Sequence, residues 1–438
     1  MKINMKKCLL AACISMTLNA NAEMLDHAKV VDSPCHVANL TCPTEVDKKI
    51  PDVKDMLTWN QQDRVIGFRN DYRSYIGDVF KAGKANPIPK SLKDLSSITY
   101  DYGNHQYTLN DYIKRNDVAG MLVIKDGKIV WEYYGKGNNE TTLWTSRSVG
   151  KSVVSTLVGI AVKEGKIASL DDLVIKYNPD VKGTVWEKVT IRQLLQHTSG
   201  VEWGEDYTNP KSDFAQLTQC EANKNTYDCV NKLVKSPTRK AYAKPGEIWS
   251  YSSGGAWLLG DTLEKATGVP IATYLQEKIW QPYGMVRDGV WHSYEQGKHD
   301  VGAHGFNASL EDWGRFGLFI ANNGVLPDGT KVLPDNWVKD ARTWTQAKNS
   351  VTAKNPDGSY GYEWWNNSVP ANYTGKYVNK LNAKDTLWAL GIFGQIIMVN
   401  QTENLVIVQW STWPKAEPSF DAQPLEAALM FNAIANKL

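Results

Sequence analysis

The chain has 438 residues, 42% hydrophobic and 22% charged, which excludes a disordered or fibrous protein and leaves room for about two or three domains with sizeable cores. Its 49 basic and 47 acidic residues give a net charge of +2, and no block of like charge is long enough to mark a nucleic-acid or polyanion surface. Beyond the N-terminal segment no run approaches the ~20 apolar residues needed to span a membrane.

At the N-terminus, Lys2, Lys6 and Lys7 precede an apolar run from Cys8 to Leu18 and then Ala20-Asn21-Ala22. This reads as a secretory signal, residues 1–22, removed after Ala22; a lipoprotein box at Leu10-Ala11-Ala12-Cys13 is the alternative, with a shorter apolar run ahead of it. The reading implies export, with the periplasm as destination. The mature chain then keeps Cys35, Cys42, Cys220 and Cys229, which allow three pairings; the local ones, Cys35 with Cys42 and Cys220 with Cys229, each close a short loop. Neither pair has the partners of a zinc site, and no metal is implied.

Residues 23–58 are polar, contain Pro34, Pro43 and Pro51, and read as an irregular extension. Trp59 to Phe80 is partly helical in pattern, and Lys84 to Ser97 is a polar connector with Pro87 and Pro89. Gly120 to Ile124 and Ile129 to Tyr134, joined by Lys125-Asp126-Gly127-Lys128, predict an antiparallel hairpin on an Asp-Gly turn.

A stretch that can carry chemistry follows. From Val149 to Val162 apolar residues fall on nearly every side, which predicts a buried helix closed by Gly165. Ser148 and Lys151 lie three apart at its start, so the hydroxyl and the amine share a face within hydrogen-bonding reach. The positive end of the helix dipole and an apolar environment both lower the pKa of such a lysine, and a neutral amine can take a serine proton. The free Ser148 N–H at the same terminus can stabilise an oxyanion.

Ile191 to His197, Asp213 to Leu217, Ala256 to Thr267 and Ile271 to Trp280 read as helices broken by glycine and proline loops. Within this region, Lys244-Pro245-Gly246 to Gly255 forms a turn that delivers Tyr251 ahead of a helix, a second candidate acid/base beside Lys151 whose pKa an adjacent ammonium would lower. Trp388 to Ile392, Gln395 to Asn400 and Leu405 to Trp410 read as strands, and Gln423 to Asn436 as a final helix. Glycines in Trp388 to Gln395, Gly391 among them, let backbone lie close against a ligand. Strands at both ends with helices between predict one sheet built from both ends of the chain.

Ser148-Val149-Gly150-Lys151, the Lys244 to Tyr251 segment, Leu194 to Gly200 with its His-Thr-Ser-Gly turn, and Trp388 to Gln395 resemble, in order and spacing, the motifs of the serine β-lactamase and penicillin-binding-protein superfamily. Within it the chain is most similar to the class C-related branch of carboxylesterases and 6-aminohexanoate-dimer hydrolases, from about Trp59 to the end. The resemblance implies an α/β (α+β) fold of the β-lactamase/transpeptidase type, an antiparallel sheet flanked by helices with an inserted, mainly helical domain. Residues 59–150 and 298–438 would make the discontinuous sheet domain and 151–297 the helical one.

It further implies Ser148 as the acylated nucleophile, Lys151 as its base, Tyr251 as proton relay, and an oxyanion hole from the N–H groups of Ser148 and Ile392. Gly391 and Tyr207 would contact substrate, Tyr207 from the loop Gly200 to Tyr207, where Glu205 or Asp206 could attract an amine unless the loop is only a solvated acidic face. His197 reads as structural, in the last turn of its helix. Two departures weaken a penicillin-directed site: Ala389 and Leu390 stand where a lysine or histidine commonly opens the third motif, and Ser253 replaces a substrate-contacting amide.

The expectation is thus an exported serine hydrolase acting through an acyl-enzyme on a small-molecule amide or ester. A D-Ala-D-Ala carboxypeptidase or β-lactamase is the alternative, and a non-catalytic binding or sensor protein on the same fold is the alternative of another class. No H-E-x-x-H, P-loop or dinucleotide fingerprint occurs, so no cofactor is implied, and nothing fixes an oligomeric state.

Overall fold

Asn60 opens the first long helix, its side chain accepting the Asp63 N–H as a cap should. The computed structural model describes residues 49–222, 226–295, 297–343, 345, 347–348, 359–366, 385–419 and 422–438. The expected signal sequence, the Cys13 alternative and the expected Cys35–Cys42 pair fall outside the described residues.

In chain order, helix α1 (Gln61–Arg69) and strand β1 (Ile76–Phe80) lead to the hairpin β2 (Thr99–Tyr102) and β3 (His105–Thr108), helix α2 (Leu109–Arg115) and the long hairpin β4 (Val118–Lys125) and β5 (Lys128–Tyr134). Asp126 and Gly127 turn that hairpin with φ of 50° and 72°, the pair of positive values that a two-residue turn of this kind requires. Strand β6 (Trp144–Thr145) then delivers α3 (Val149–Lys163), followed by α4 (Ile191–Leu195), α5 (Asp213–Glu221), α6 (Thr226–Val234), α7 (Ser253–Thr267) and α8 (Ile271–Leu275), which runs on as a π-helical turn, Gln276–Trp280. Strands β7 (Gly289–Glu295), β8 (His299–Asp300) and β9 (Phe306–Ala308) precede α9 (Leu310–Ala321), α10 (Trp337–Ala341), β10 (Ser359–Gly361), β11 (Trp364–Asn366), β12 (Thr386–Gly391), β13 (Gln395–Asn400), β14 (Leu405–Ser411) and α11 (Gln423–Lys437).

Seven strands form one antiparallel sheet in the order β10-β11-β12-β13-β14-β4-β5, in which β14 pairs with β4 through contacts such as Val408 with Leu122. The last strands of the chain therefore lie beside its first long hairpin, as their apolar runs predict. Both faces are covered. Glycines on α9 allow it to sit on one face: a Cβ at Gly314 would lie 2.6 Å from Leu122, and one at Gly317 2.4 Å from Val406. On the other face Met430, Phe431 and Ile434 of α11 pack with Met121, Val123 and Ile407. The polar connector Lys84 to Ser97 is laid along the β5 edge, with Ser91 and Lys93 N–H groups donating to the carbonyls of Ile129 and Val130 at 2.8 Å.

A second, smaller sheet runs β1-β7-β9-β6, with β8 on β7, and has no counterpart among the strands expected from sequence. Its members β6 and β9 are two and three residues long, too short for any alternation to show. It matters because β6 ends at Thr145, two residues before the strained turn into α3, and the Ser146 N–H is fastened to the Phe306 carbonyl at 2.8 Å. Every residue of α3 from Val149 to Ala161 is buried, in keeping with its all-round apolar pattern. Among the described residues no helix is long and apolar enough to cross a membrane.

Candidate active site

The turn between β6 and α3 is strained. Arg147 has φ of 46°, a conformation that costs a non-glycine residue ~1–3 kcal/mol unless its surroundings hold it. They do: its guanidinium is buried 2.8 Å from Asp71 Oδ1 and lies 5.2 Å from the centre of the Phe68 ring. Asp71 also accepts the Thr145 hydroxyl at 2.6 Å and sits 3.2 Å from His292 Nε2. Burial alone would raise the Asp71 pKa, but Arg147, His292 and the Thr145 hydrogen bond outweigh it and hold it below the usual carboxylate range.

That turn places Ser148 at the head of α3 and Lys151 one turn along, with Lys151 Nζ 2.9 Å from Ser148 Oγ and 2.8 Å from the Ala303 carbonyl. Lys151 is 2% exposed. Burial pushes its amine below the ordinary lysine value, against the opposing charges of Glu205, Glu363 and Glu221, so the direction expected from sequence holds.

Tyr251 completes the group. Lys151 Nζ lies 5.2 Å from its ring centre, and Ser148 is near enough to lower the pKa of its hydroxyl. Here the sequence expectation is corrected. Burial and the Glu205 carboxylate push the phenol well above its ordinary pKa, against the lowering influence of Ser148, because desolvation and acids that lie far off in sequence dominate. The phenol is thus held neutral and can relay a proton only by giving and taking one together.

His197 is also corrected in position: α4 ends at Leu195, and His197 lies beyond its Gln196 cap at φ of 52°. Its carbonyl accepts the Ser250 N–H at 2.9 Å and its Nδ1 the Ser252 N–H at 3.2 Å, so one residue grips the backbone on both sides of Tyr251. With Nδ1 accepting, Nε2 carries the proton and donates to Glu363 Oε2 at 2.9 Å. Tyr360 donates to the same oxygen at 2.6 Å, and the Glu363 carbonyl accepts the Ser152 hydroxyl on α3, also at 2.6 Å. Neither Glu363 nor Tyr360 carries any local sign of this role in the sequence.

The acidic loop is tied inward. Glu205 accepts from the Ser253 N–H at 2.9 Å, the Ser253 hydroxyl and Trp203 Nε1 at 2.5 Å each, and the Tyr207 hydroxyl at 3.1 Å. Tyr207 is half-buried with its ring edge-on to Phe214, 4.6 Å between centres, and does not line the cavity around Ser148. Asp206 is exposed and accepts from Thr208. Gly391 closes β12, where a Cβ would come within 2.6 Å of the Ser146 carbonyl oxygen; its close approach is to the turn before Ser148. Ile392, the next residue, lines the cavity with Ser148, Lys151 and Ser253. The N–H groups of Ser148 and Ile392 carry no hydrogen bond to the described residues.

On the same cavity lie Glu221 and His304, which sequence reading missed: single residues 83 positions apart, with no motif to join them. Cys220 beside Glu221 is joined to Cys229. Away from the cavity, Asp261, Glu264 and His299 could approach a common cation, but Asp261 is already held by Lys235 at 2.7 Å and by Asn178 and Tyr227, so its charge is matched without a metal.

A helix that starts at a serine, with a buried lysine one turn on and a tyrosine from a neighbouring loop, set against an antiparallel sheet, defines the β-lactamase/transpeptidase class of fold. The chain belongs to the β-lactamase family of serine hydrolases, whose profile matches residues 109–430. It is similar to the 6-aminohexanoate-dimer hydrolase of Paenarthrobacter ureafaciens, 26% identical over 313 residues that cover 70% of this chain and 75% of that protein. It also resembles esterase EstB of Burkholderia gladioli, 32% identical over 181 residues, 39% of this chain and 44% of the other. A Bacillus anthracis protein provisionally assigned as a 6-aminohexanoate-dimer hydrolase shares the fold with a TM-score of 0.74 at 23% identity, over 91% of this chain and 98% of its own.

Proposed function

We propose that the protein is an exported hydrolase that cleaves a small amide or ester through an acyl-enzyme on Ser148. The observation that carries the reading is the 2.9 Å contact between Ser148 Oγ and a lysine that is 2% exposed, with the neutral Tyr251 ring 5.2 Å from that lysine. Lys151, its charge disfavoured by burial, takes the serine proton as Oγ attacks the carbonyl carbon. The unpartnered N–H groups of Ser148 and Ile392 receive the oxyanion. Tyr251 passes the proton from Lys151 to the departing amine or alcohol, giving one as it takes one.

The similarity to a 6-aminohexanoate-dimer hydrolase and to an esterase supports the choice of amide or ester. Against a cell-wall peptide or β-lactam stands the third motif, where buried Ala389 and half-buried Leu390 offer no charge to a substrate carboxylate. The Cys220–Cys229 disulfide fits an oxidising compartment and hence export.

The test is mass spectrometry after exposure to a fluorophosphonate or a p-nitrophenyl ester. Wild-type protein should gain one adduct mapping to Ser148 and Ser148→Ala none; an unmodified wild type would sink the reading. Turnover of a cephalosporin with no action on simple esters or amides would move the substrate to the β-lactam class.

A further inference from the structure

Acylation employs Ser148, Lys151 and Tyr251, but the second half of the reaction, attack by water, needs a base that those three are poorly placed to supply. Lys151 is committed to Ser148 Oγ and the Ala303 carbonyl, and a phenol held well above its ordinary pKa is a reluctant proton acceptor while Ser148 is esterified.

We propose that His304, oriented by Glu221, is the catalytic base that activates the water which hydrolyses the acyl-enzyme; this rests on the acyl-enzyme reading above. His304 follows the carbonyl that binds Lys151, and its backbone lies against the first turn of α3, where a Cβ on Gly150 would come within 3.2 Å of His304 Cα. Its Nε2 is 2.8 Å from Glu221 Oε2, and the other carboxylate oxygen accepts the Tyr294 hydroxyl at 2.9 Å. Burial would raise the Glu221 pKa, but the interaction with His304 and the Tyr294 hydrogen bond hold it below the ordinary value, so the carboxylate stays ionised.

A carboxylate on Nε2 selects the tautomer with its lone pair on Nδ1. That nitrogen has no hydrogen bond among the described residues. The cavity shared by Ser148, Lys151, Glu221, Ser253, His304 and Ile392 has a volume of about 20 Å³. A single water needs ~10–15 Å³ by the same measure and two to four polar partners, which these walls supply.

In the step proposed, His304 Nδ1 takes one proton of the water as its oxygen bonds to the acyl carbon. The tetrahedral adduct then collapses and the bond from that carbon to Ser148 Oγ breaks. Ser148 Oγ is reprotonated through Tyr251 and Lys151, which draw one proton from solvent while the imidazolium returns one to it. Water is divided between the released acid and the regenerated serine, and no oxidant or other co-reactant is needed.

The experiment follows p-nitrophenyl acetate by stopped flow and quenched-sample mass spectrometry, in wild type, His304→Gln and Glu221→Gln, with circular dichroism as the check on folding. In the variants the burst of p-nitrophenol should keep its rate within about 3-fold, steady-state turnover should fall by about 100-fold, and acetyl-Ser148 should accumulate. Hydroxylamine, which needs no base to attack the ester, should restore turnover. Equal loss of burst and steady state in both variants, or no change in either, would overturn the assignment. Absence of acetyl-Ser148 from the quenched samples of wild type and both variants would instead remove the acyl-enzyme reading, and this step with it.

Discussion

Replacing Gly391 with alanine adds one methyl group where β12 meets the turn that carries Ser148. The new carbon would stand 2.6 Å from the Ser146 carbonyl oxygen, 3.0 Å from Gln395 Cβ and 3.2 Å from Arg147 Cβ. An ordinary contact begins at 3.4 Å, so the gap to Ser146 must widen by 0.8 Å, the difference between 3.4 and 2.6 Å. The Ser146 side is fixed by its N–H to the Phe306 carbonyl at 2.8 Å and by the Arg147–Asp71 pair, also 2.8 Å. The β12–β13 turn has to yield, and it carries the Ile392 N–H away from Ser148. The backbone of Gly391 is not left-handed, so the effect is steric alone.

Overpacking of this kind costs ~1–3 kcal/mol of stability. Losing one oxyanion donor costs ~100-fold in kcat or more, and a displacement near 1 Å is enough to do it. Burst kinetics with a p-nitrophenyl ester should therefore show kcat down by about 100-fold with KM little changed. Gly255→Ala, whose Cβ would meet nothing closer than 3.4 Å, is the control and should keep the wild-type rate. A Gly391→Ala enzyme with the wild-type acylation rate would refute both the proposed hole and the reason given for a glycine there.

Three other outcomes follow from the charges around the site. The proposed mechanism requires the neutral amine of Lys151, so kcat/KM should rise with pH along a limb centred below the 10.5 of a free lysine; a limb at or above that value would contradict its burial. Glu363→Gln removes a negative charge that raises the Lys151 pKa, and the same limb should move to lower pH; an unmoved limb would show that Glu363 is felt only through packing. Glu264 is buried with its pKa raised to about 7 from 4.5, so its contribution to stability is full below pH 4.5 and is lost as pH rises through 7. The loss is on the order of 3 kcal/mol. Urea midpoints at pH 5 and pH 8 should differ less in Glu264→Gln than in wild type, and an unchanged difference would count against the assignment.

What was legible in the chain was what local periodicity encodes. Ser148 and Lys151 stand one helical turn apart in an apolar run, so their contact follows from helix geometry alone. The long hairpin and the last three strands carry apolar runs and a turn dipeptide, and the sheet they make was foreseeable from their places at the two ends of the chain. The small sheet was not, because β6 pairs with β9 across more than 160 residues through only two register positions, Trp144 with Ala308 and Thr145 with Asn307.

The acids were the least legible part, and for a single physical reason. A carboxylate in a sequence reads as facing water or ligand, since burying it unpaired is costly. Whether it is paired depends on which distant donors the fold brings to it. Glu205 looked like a lure for an amine, yet Trp203, Tyr207 and Ser253 use both of its oxygens to hold a loop against α7. Glu363 gained its part only when β11 carried it under His197, and Glu221 only when α5 met the segment of His304. The same three charges bear on Lys151, and Glu205 and Glu363 also bear on Tyr251. The proposed nucleophile and base can therefore be read from one helical turn, whereas their protonation is set by residues that only the folded chain assembles.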